Sequence, residues 1–363
     1  MGFGPCALEN MGLGTEFWKG RRVLVTGHTG FKGSWLSEWL LALGADVAGY
    51  ALAPPTDPAL FDQLGLGRRL KHQIGDIRDL RFFRACAEAH DPEVVFHLAA
   101  QPLVRYSYQA PIETYEVNVL GTAHVLDVCR GLPRLRAVVV VTTDKCYENH
   151  EWLWGYREVD RLGGHDPYSS SKACTEILAD SFRRSFFQAG AHIASARAGN
   201  VIGGGDWATD RLIPDVARAV RKREEVVIRY PDSIRPWQHV LEPLHGYLAL
   251  AEALCGPGGR QFAESWNFGP DDQDARPVRW IMEYMSRAWP EFSRWRTDER
   301  AHPHEAGYLR LDCSKAHARL QWRPRLSLEQ ALKLTVEWYS AHQRGDDLRA
   351  LTGRQIHDFS QLI

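Results

Sequence analysis

A short β-branched run, Arg22-Val-Leu-Val-Thr26, leads directly into Gly27-His-Thr-Gly30-Phe-Lys-Gly33 and then into an amphipathic stretch over residues 33–43. Few folds accommodate a strand that turns on glycines straight into a helix. Glycines at this spacing permit a tight turn, let the backbone approach a pyrophosphate closely, and leave free N–H groups at a helix N-terminus. The turn alone is a weak signal, but its strand–turn–helix context makes it a candidate dinucleotide site.

The alternation continues. Strands are expected over 46–52, 72–75 and 192–198, and helices over 78–90 and 167–189. Glu93-Val-Val-Phe-His-Leu98 and Ala137-Val-Val-Val-Val141 are unbroken apolar runs, as strands buried on both faces require. The pattern is α/β, a Rossmann-type doubly wound parallel sheet. Beyond Asn200 it breaks into glycines at 203–205 and prolines at 214, 231, 236, 243, 270, 277, 303 and 324. Such loop-rich sequence suits a smaller mixed α/β domain covering a substrate. The expected division is a loosely ordered leader over 1–17 with Met11 available as an alternative start, a cofactor domain over 18–199, and a mainly substrate-binding part over 200–363 with some segments returning to the first domain.

Composition excludes several classes. The 363 residues carry a formal net charge of −1, so no global basic field points to nucleic acid or an anionic membrane, and any bound anion needs a local pocket. Seven scattered cysteines form no CxxC pair, which suits reduced thiols in the cytosol, and no Cys/His cluster has zinc spacing, so no metal is expected. No apolar run is long enough to span a bilayer, and residues 1–17 lack a secretory pattern. A cytoplasmic protein is expected.

Chemistry concentrates at two places. Tyr168 and Lys172, four apart at the start of a helix, share a face. An ammonium beside a phenol favours phenolate and would make Tyr168 a usable base, whereas YxxxK alone describes many surface Tyr–Lys pairs. Val141-Thr-Thr-Asp-Lys-Cys-Tyr147 lies at the carboxyl end of an apolar strand, the edge where doubly wound sheets place their sites. Thr142 or Thr143 can donate to a substrate oxygen. Asp144 and Lys145 add an acid and a second titratable group, unless they form only a strand-end salt bridge. The second strand ends Gly49-Tyr-Ala-Leu52 without the acidic residue that usually holds a ribose 2′-hydroxyl. Lys32 could meet a 2′-phosphate instead, so this site leaves NAD and NADP both open.

His28-Thr-Gly-Phe-Lys-Gly-Ser-Trp35, Thr143-Asp-Lys-Cys-Tyr147, Gly163-Gly-His-Asp-Pro-Tyr-Ser-Ser-Ser-Lys172 and Arg235-Pro-Trp-Gln-His-Val-Leu-Glu-Pro243 together resemble the CDP-glucose 4,6-dehydratases of the extended short-chain dehydrogenase/reductase superfamily, from about residue 18 to about 338. The resemblance implies NAD as cofactor, held by Gly27, Thr29, Gly30, Phe31, Lys32 and Gly33. Asp76 and Ile77 would sit near the adenine, Leu98, Ala99, Ala100 and Gln101 beside the pyrophosphate and nicotinamide ribose, and Tyr168 and Lys172 at the nicotinamide. It implies Tyr168 as the base at the sugar 4-hydroxyl, Thr143 as hydroxyl donor, Lys145 as the C5 base and Asp144 as the acid for the departing 6-hydroxyl. dTDP-glucose dehydratases are similar in fold but place Glu where Lys145 stands. A lysine base must be neutral, and Asp144 must be protonated when it acts. Arg235 is the first choice for the diphosphate because a guanidinium binds phosphate bidentately. Asn200 and Arg211 follow from family position, Gln238 and His239 are candidate lining residues, and Tyr308 matches a late motif. Relatives pair through helices that fall here at 110–129 and 168–189, which implies a homodimer or a dimer of dimers. Two rivals remain: a nucleotide-sugar 4-epimerase, which needs no acid–base pair after the threonine, and a dinucleotide-sensing regulator, which has no use for Tyr168 with Lys172.

Overall fold

The computed structural model describes residues 14–292, 294–298, 300 and 308–363. Most of the expected leader, Met11 included, and residues 304–307 before Tyr308 lie outside the described residues. The first half runs α1 (Thr15–Trp18), β1 (Arg22–Thr26), α2 (Phe31–Ala42), β2 (Asp46–Ala51), α3 (Leu60–Gln63), β3 (Lys71–Ile74), α4 (Leu80–His90), β4 (Val94–His97), α5 (Val104–Gln109), α6 (Pro111–Tyr115), α7 (Gly121–Cys129), β5 (Ala137–Val141), α8 (Pro167–Phe186) and β6 (His192–Ala198). The second half runs β7 (Val201–Ile202), α9 (Leu212–Lys222), β8 (Val226–Ile228), β9 (Ile234–Pro236), β10 (Gln238–His239), α10 (Leu241–Cys255), β11 (Ser265–Phe268), β12 (Ala275–Pro277), α11 (Val278–Ala288), β13 (Trp295–Thr297), α12 (Ser314–Arg319), α13 (Leu328–Arg344) and α14 (Leu348–Ser360).

Seven strands form one all-parallel sheet in the order β11-β6-β5-β4-β1-β2-β3. The Rossmann-type fold expected from the alternation is the one observed. Successive side chains of a strand face opposite sides of a sheet, and here both sides are covered. Val23, Val25, Val94, Phe96, Val139 and Val141 enter one apolar cluster, while Leu24, Val95, Val138 and Val140 enter the other. The unbroken apolar runs follow from that double burial.

Two local differences have clear causes. Helix α2 starts at Phe31, two residues before the expected Gly33, because Gly30 already stands as its N-cap in extended conformation. The helix expected from 78 starts at Leu80, because the Asp79 carboxylate accepts the Phe82 N–H and fixes the cap there. Strand β11 is one of the segments beyond 200 that return to the first domain, where it extends the main sheet beside β6. Helix α10 packs against β5 and β6. The remaining strands pair two by two, β7 with β10, β8 with β13 and β9 with β12.

Candidate active site

A cavity of about 750 Å³ opens at the carboxyl ends of β5 and β6. On the sheet side it is lined by Thr142, Thr143, Asp144 and Lys145 after β5, Gly199 and Asn200 after β6, and Tyr168 from α8. On the other side stand Arg211 at the start of α9, Asp215 within it, Val227 and Ile228 of β8, and Arg235 of β9.

The catalytic candidates are brought together by caps. Asp166 accepts the Ser169 N–H at 3.0 Å and Pro167 occupies the first helical position, so α8 begins with Tyr168 at the cavity wall. The Tyr168 N–H donates to the Ser107 hydroxyl of α5 at 3.1 Å. After β5 the chain makes a single 3₁₀ turn in which Thr143 accepts the Lys145 N–H and donates to Asp144 Oδ1 at 2.9 Å. Asp144 is 2% exposed, and its Oδ2 is buried without a hydrogen-bond partner among the described residues. It is therefore not half of a strand-end pair with Lys145. Burial raises its carboxyl, against the pull of Lys145, the Thr143 hydroxyl, Arg235 and Lys32. Of the two threonines, Thr142 gives its hydroxyl to Glu176, which leaves Thr143 beside the Tyr168 phenol.

Lys172 is not among the largest influences on the Tyr168 phenol. The Lys172 ammonium turns to the Val141 carbonyl at 3.4 Å, and burial pulls it down to about 8. Burial likewise pushes Tyr168 up to about 12, opposed by the Thr143 hydroxyl and Arg211 rather than by Lys172.

At the glycine turn, Gly27 has φ 76° and lies so close to the β4 exit that an added Cβ would meet the Ala99 nitrogen at 2.7 Å. A Cβ on Gly33 would come within 2.2 Å of the Gly27 carbonyl. Gly30 caps α2 without a side-chain hydrogen bond, so the first N–H groups of the helix stay available. This cradle, bordered by Leu98 and Ala99, fits a dinucleotide pyrophosphate. Thr29 donates to the Leu52 carbonyl at 2.9 Å and closes the turn onto β2.

Several candidates sit elsewhere than expected. Lys32 lines the catalytic cavity, where Asp144 and Arg211 act on it, because the first turn of α2 carries it away from the end of β2; it is not placed to meet a 2′-phosphate. Asp76 is clamped by Arg78 at 2.7 Å. Ile77 is core, packed under Gly121. Gln101 spends its side chain on Thr114 and on the Leu103 N–H, and its backbone N–H and carbonyl are both held by the Asn118 amide, at 2.8 and 3.1 Å. Gln238 and His239 do not line the cavity: both are buried, Gln238 donating to the Phe268 carbonyl at 2.9 Å and His239 packing edge-on to Trp35. Tyr308 also lies off the cavity lining, with its hydroxyl accepting from Arg310 at 2.7 Å.

One buried group went unread in the sequence. Glu176, one turn beyond Lys172, accepts from Thr142, from Ser195 at 2.7 Å, from Ser265 at 3.0 Å and from Arg197 at 2.7 Å. It ties α8 to β5, β6 and β11 directly beneath the site. Its spacing from Lys172 was the available signal.

The GDP-mannose 4,6 dehydratase family model matches residues 24–257. A CDP-glucose 4,6-dehydratase of Salmonella typhimurium is 53% identical over 350 residues, covering 95% of this chain and 97% of that protein. The chain belongs to the nucleotide-sugar 4,6-dehydratase family. More distant members of this dehydratase family include a dTDP-glucose 4,6-dehydratase of Haemophilus influenzae, 25% identical over 87% of this chain and 97% of its own. Among solved structures, a Streptomyces venezuelae dTDP-glucose 4,6-dehydratase with NAD bound superposes with a TM-score of 0.75 at 24% identity, covering 90% of this chain and 98% of that one. A Thermotoga maritima UDP-glucose 4-epimerase superposes equally well, at 0.76 and 22% identity over 88% and 99%. The dehydratase and epimerase therefore share this fold, and the side chains after β5 must separate them.

Proposed function

We propose that the chain is the NAD-dependent hydro-lyase that converts CDP-D-glucose to CDP-4-keto-6-deoxy-D-glucose. Asp144 carries this reading: a buried carboxyl with a raised pKa and an unpartnered oxygen, beside Thr143 and Tyr168, is an acid held ready for a leaving hydroxyl. An epimerase, which expels no hydroxyl, has no work for it. The likeness to the Salmonella protein supports CDP-glucose as substrate.

The cofactor would lie over the Gly27, Gly30 and Gly33 cradle, with Tyr168 and Lys172 at its reactive end. When bound, NAD supplies the hydride sink for C4 and the hydride source for C6. Tyr168 takes the 4-hydroxyl proton while Thr143 holds that oxygen. The resulting carbonyl acidifies C5–H, which Lys145 removes while Asp144 protonates the 6-hydroxyl so that it departs as water; Lys145 then returns its proton to C5 as C6 receives the hydride. Arg235, with Arg211 and Asn200, faces the diphosphate; the buried Asn200 Nδ2 lacks a partner among the described residues and suits that task. Cofactor binding falls to residues 18–199 and substrate binding mainly to 200–363. We further propose a cytoplasmic homodimer, or a dimer of dimers, paired through residues 110–129 and 168–189, because Leu120 and Ile177 are more than half exposed on these segments; a monomeric mass by light scattering would refute it.

Gly33→Ala should lose dinucleotide binding and about 1–3 kcal/mol of stability, since its Cβ meets backbone rather than a yielding side chain. Calorimetric titration with NAD and thermal denaturation measure the two effects. The function itself is tested by incubating the protein with NAD and, separately, CDP-, dTDP-, UDP- and GDP-hexoses, then weighing the products. Loss of one water from CDP-glucose alone is expected. Unchanged mass with a glucose-to-galactose change by NMR would make the protein an epimerase.

A further inference from the structure

We propose that Asp215 reads the nucleobase of the substrate, its carboxylate accepting a hydrogen bond from the exocyclic amino group of cytosine and rejecting bases with a carbonyl at that position. The inference rests on the proposed function and adds the residue that selects among nucleotides.

A nucleotide sugar is a linear ligand of hexose, diphosphate, ribose and base, so its order can be laid along the cavity. Thr143, Asp144 and Tyr168 mark the hexose end. The cations come next: Arg211 acts on Tyr168 and Lys32, and Arg235 on Asp144. Asp215 lies four residues beyond Arg211, the extended N-cap of α9, with its N–H on the Arg211 carbonyl at 2.9 Å, which sets it one turn, about 6 Å, further along the cavity. There α9 packs on β8, and Pro214, Val227 and Ile228 add apolar wall to the cavity. An apolar wall with a polar group at its edge is what a flat base requires.

The other acids at this end differ from Asp215 in how many groups they hold, although Arg229 acts on Asp215 as well as on Asp210. Asp206 takes the Ala208 N–H on one oxygen and Arg211 on the other, at 2.9 Å. Asp210 bridges Arg105 at 2.9 Å and Arg229 at 3.2 Å, so two cations neutralise it. Asp298 holds Arg300 with both oxygens. Asp215 gives Oδ1 to Arg218 in its own helix, and among the described residues its Oδ2 has no hydrogen-bond partner. Its side chain is 42% exposed, and it lines the cavity. Arg218 fixes the carboxylate from behind and leaves the second oxygen for a ligand. Cytosine presents an N4 amino donor where thymine and uracil present a carbonyl acceptor, so a carboxylate attracts the first and repels the others. The alternative is an ordinary Asp215–Arg218 pair on a helix surface, with no bearing on the base.

Binding separates these readings without turnover. Cytidine and uridine diphosphates are titrated calorimetrically into the wild-type protein and into Asp215→Asn, Asp215→Ser and Arg218→Met, each checked for fold by circular dichroism. The wild type should prefer the cytidine nucleotide by about tenfold or more. Asp215→Asn, whose amide can face a carbonyl, should bring the ratio to one or invert it, and Asp215→Ser should also level it. Arg218→Met, which keeps the carboxylate, should retain the preference. The proposal fails if the wild type does not discriminate, if the ratio survives both Asp215 replacements, or if Arg218→Met levels it equally. Water loss from CDP-glucose with an unaltered ratio in Asp215→Asn sinks the base reader alone. No water loss, with a ratio that Asp215 controls, sinks the dehydratase reading alone.

Discussion

Asp144→Asn is expected to bind nucleotide and cofactor normally and to lose dehydration by about 10²–10⁴-fold, the usual worth of a positioned acid. Asparagine keeps the shape and can still accept the Thr143 hydroxyl on its oxygen, so the 3₁₀ turn after β5 persists. It cannot surrender a proton to a leaving oxygen. Because the competent form of Asp144 is the protonated one, and burial raises its carboxyl above the ordinary range, wild-type turnover should fall as pH climbs through that raised value. Product mass after single and multiple turnovers reads the first effect, and a pH–rate profile the second. Turnover in the variant within a few-fold of wild type would remove Asp144 from the chemistry.

The second large effect concerns stability. Burial alone would raise the Glu176 carboxyl, but the Arg197 guanidinium and the hydroxyls of Thr142 and Ser195 override it and hold it at about 2. A carboxylate whose folded value lies below its ordinary 4.5 adds stability that is complete above that value and vanishes as pH falls through about 2. Glu176→Gln leaves Arg197, 2% exposed, without a counter-charge, and Arg197→Met leaves Glu176 in the same position. Each single change should cost about 3–5 kcal/mol, whereas replacing both by apolar residues should cost much less. Thermal denaturation of the two single variants and the double variant measures the difference, and Glu176→Gln should flatten the acid side of the stability–pH curve. Equal losses in all three would mean that packing, not charge, sets the cost.

Particular residues show how far the sequence could be read. The strands at 137–141 and 192–198 were legible to the residue, because double burial leaves little but small and β-branched side chains. The glycine turn and the Tyr168–Lys172 spacing were legible because geometry demands them. Lys32 was misplaced because nearness in sequence to the turn says nothing of direction, which the first helical turn decides. Gln238 and His239 were misplaced because they neighbour Arg235 in sequence; Arg235 belongs to β9, whereas these two form β10 and point into the interior. Strand β11 was hidden by its length, since four residues in a proline- and glycine-rich region carry no period. The upward shift of Tyr168 escaped for another reason: a sequence displays the neighbouring charge and conceals the depth of burial.

The late arrival of β11 shapes how the protein is made. A chain leaving the ribosome offers β1 to β6 once Ala198 has emerged, but β6 keeps a bare edge until Ser265–Phe268 follows. Until then the Ser265 hydroxyl is missing from Glu176, and α10 has only just arrived to cover β5 and β6. The completed sheet still ends in the edges β11 and β3, so what sets the nascent N-terminal half apart is its uncovered apolar face, the form that recruits chaperones or sticks to its neighbours. Translation must carry well past the last catalytic residue before the first domain can close.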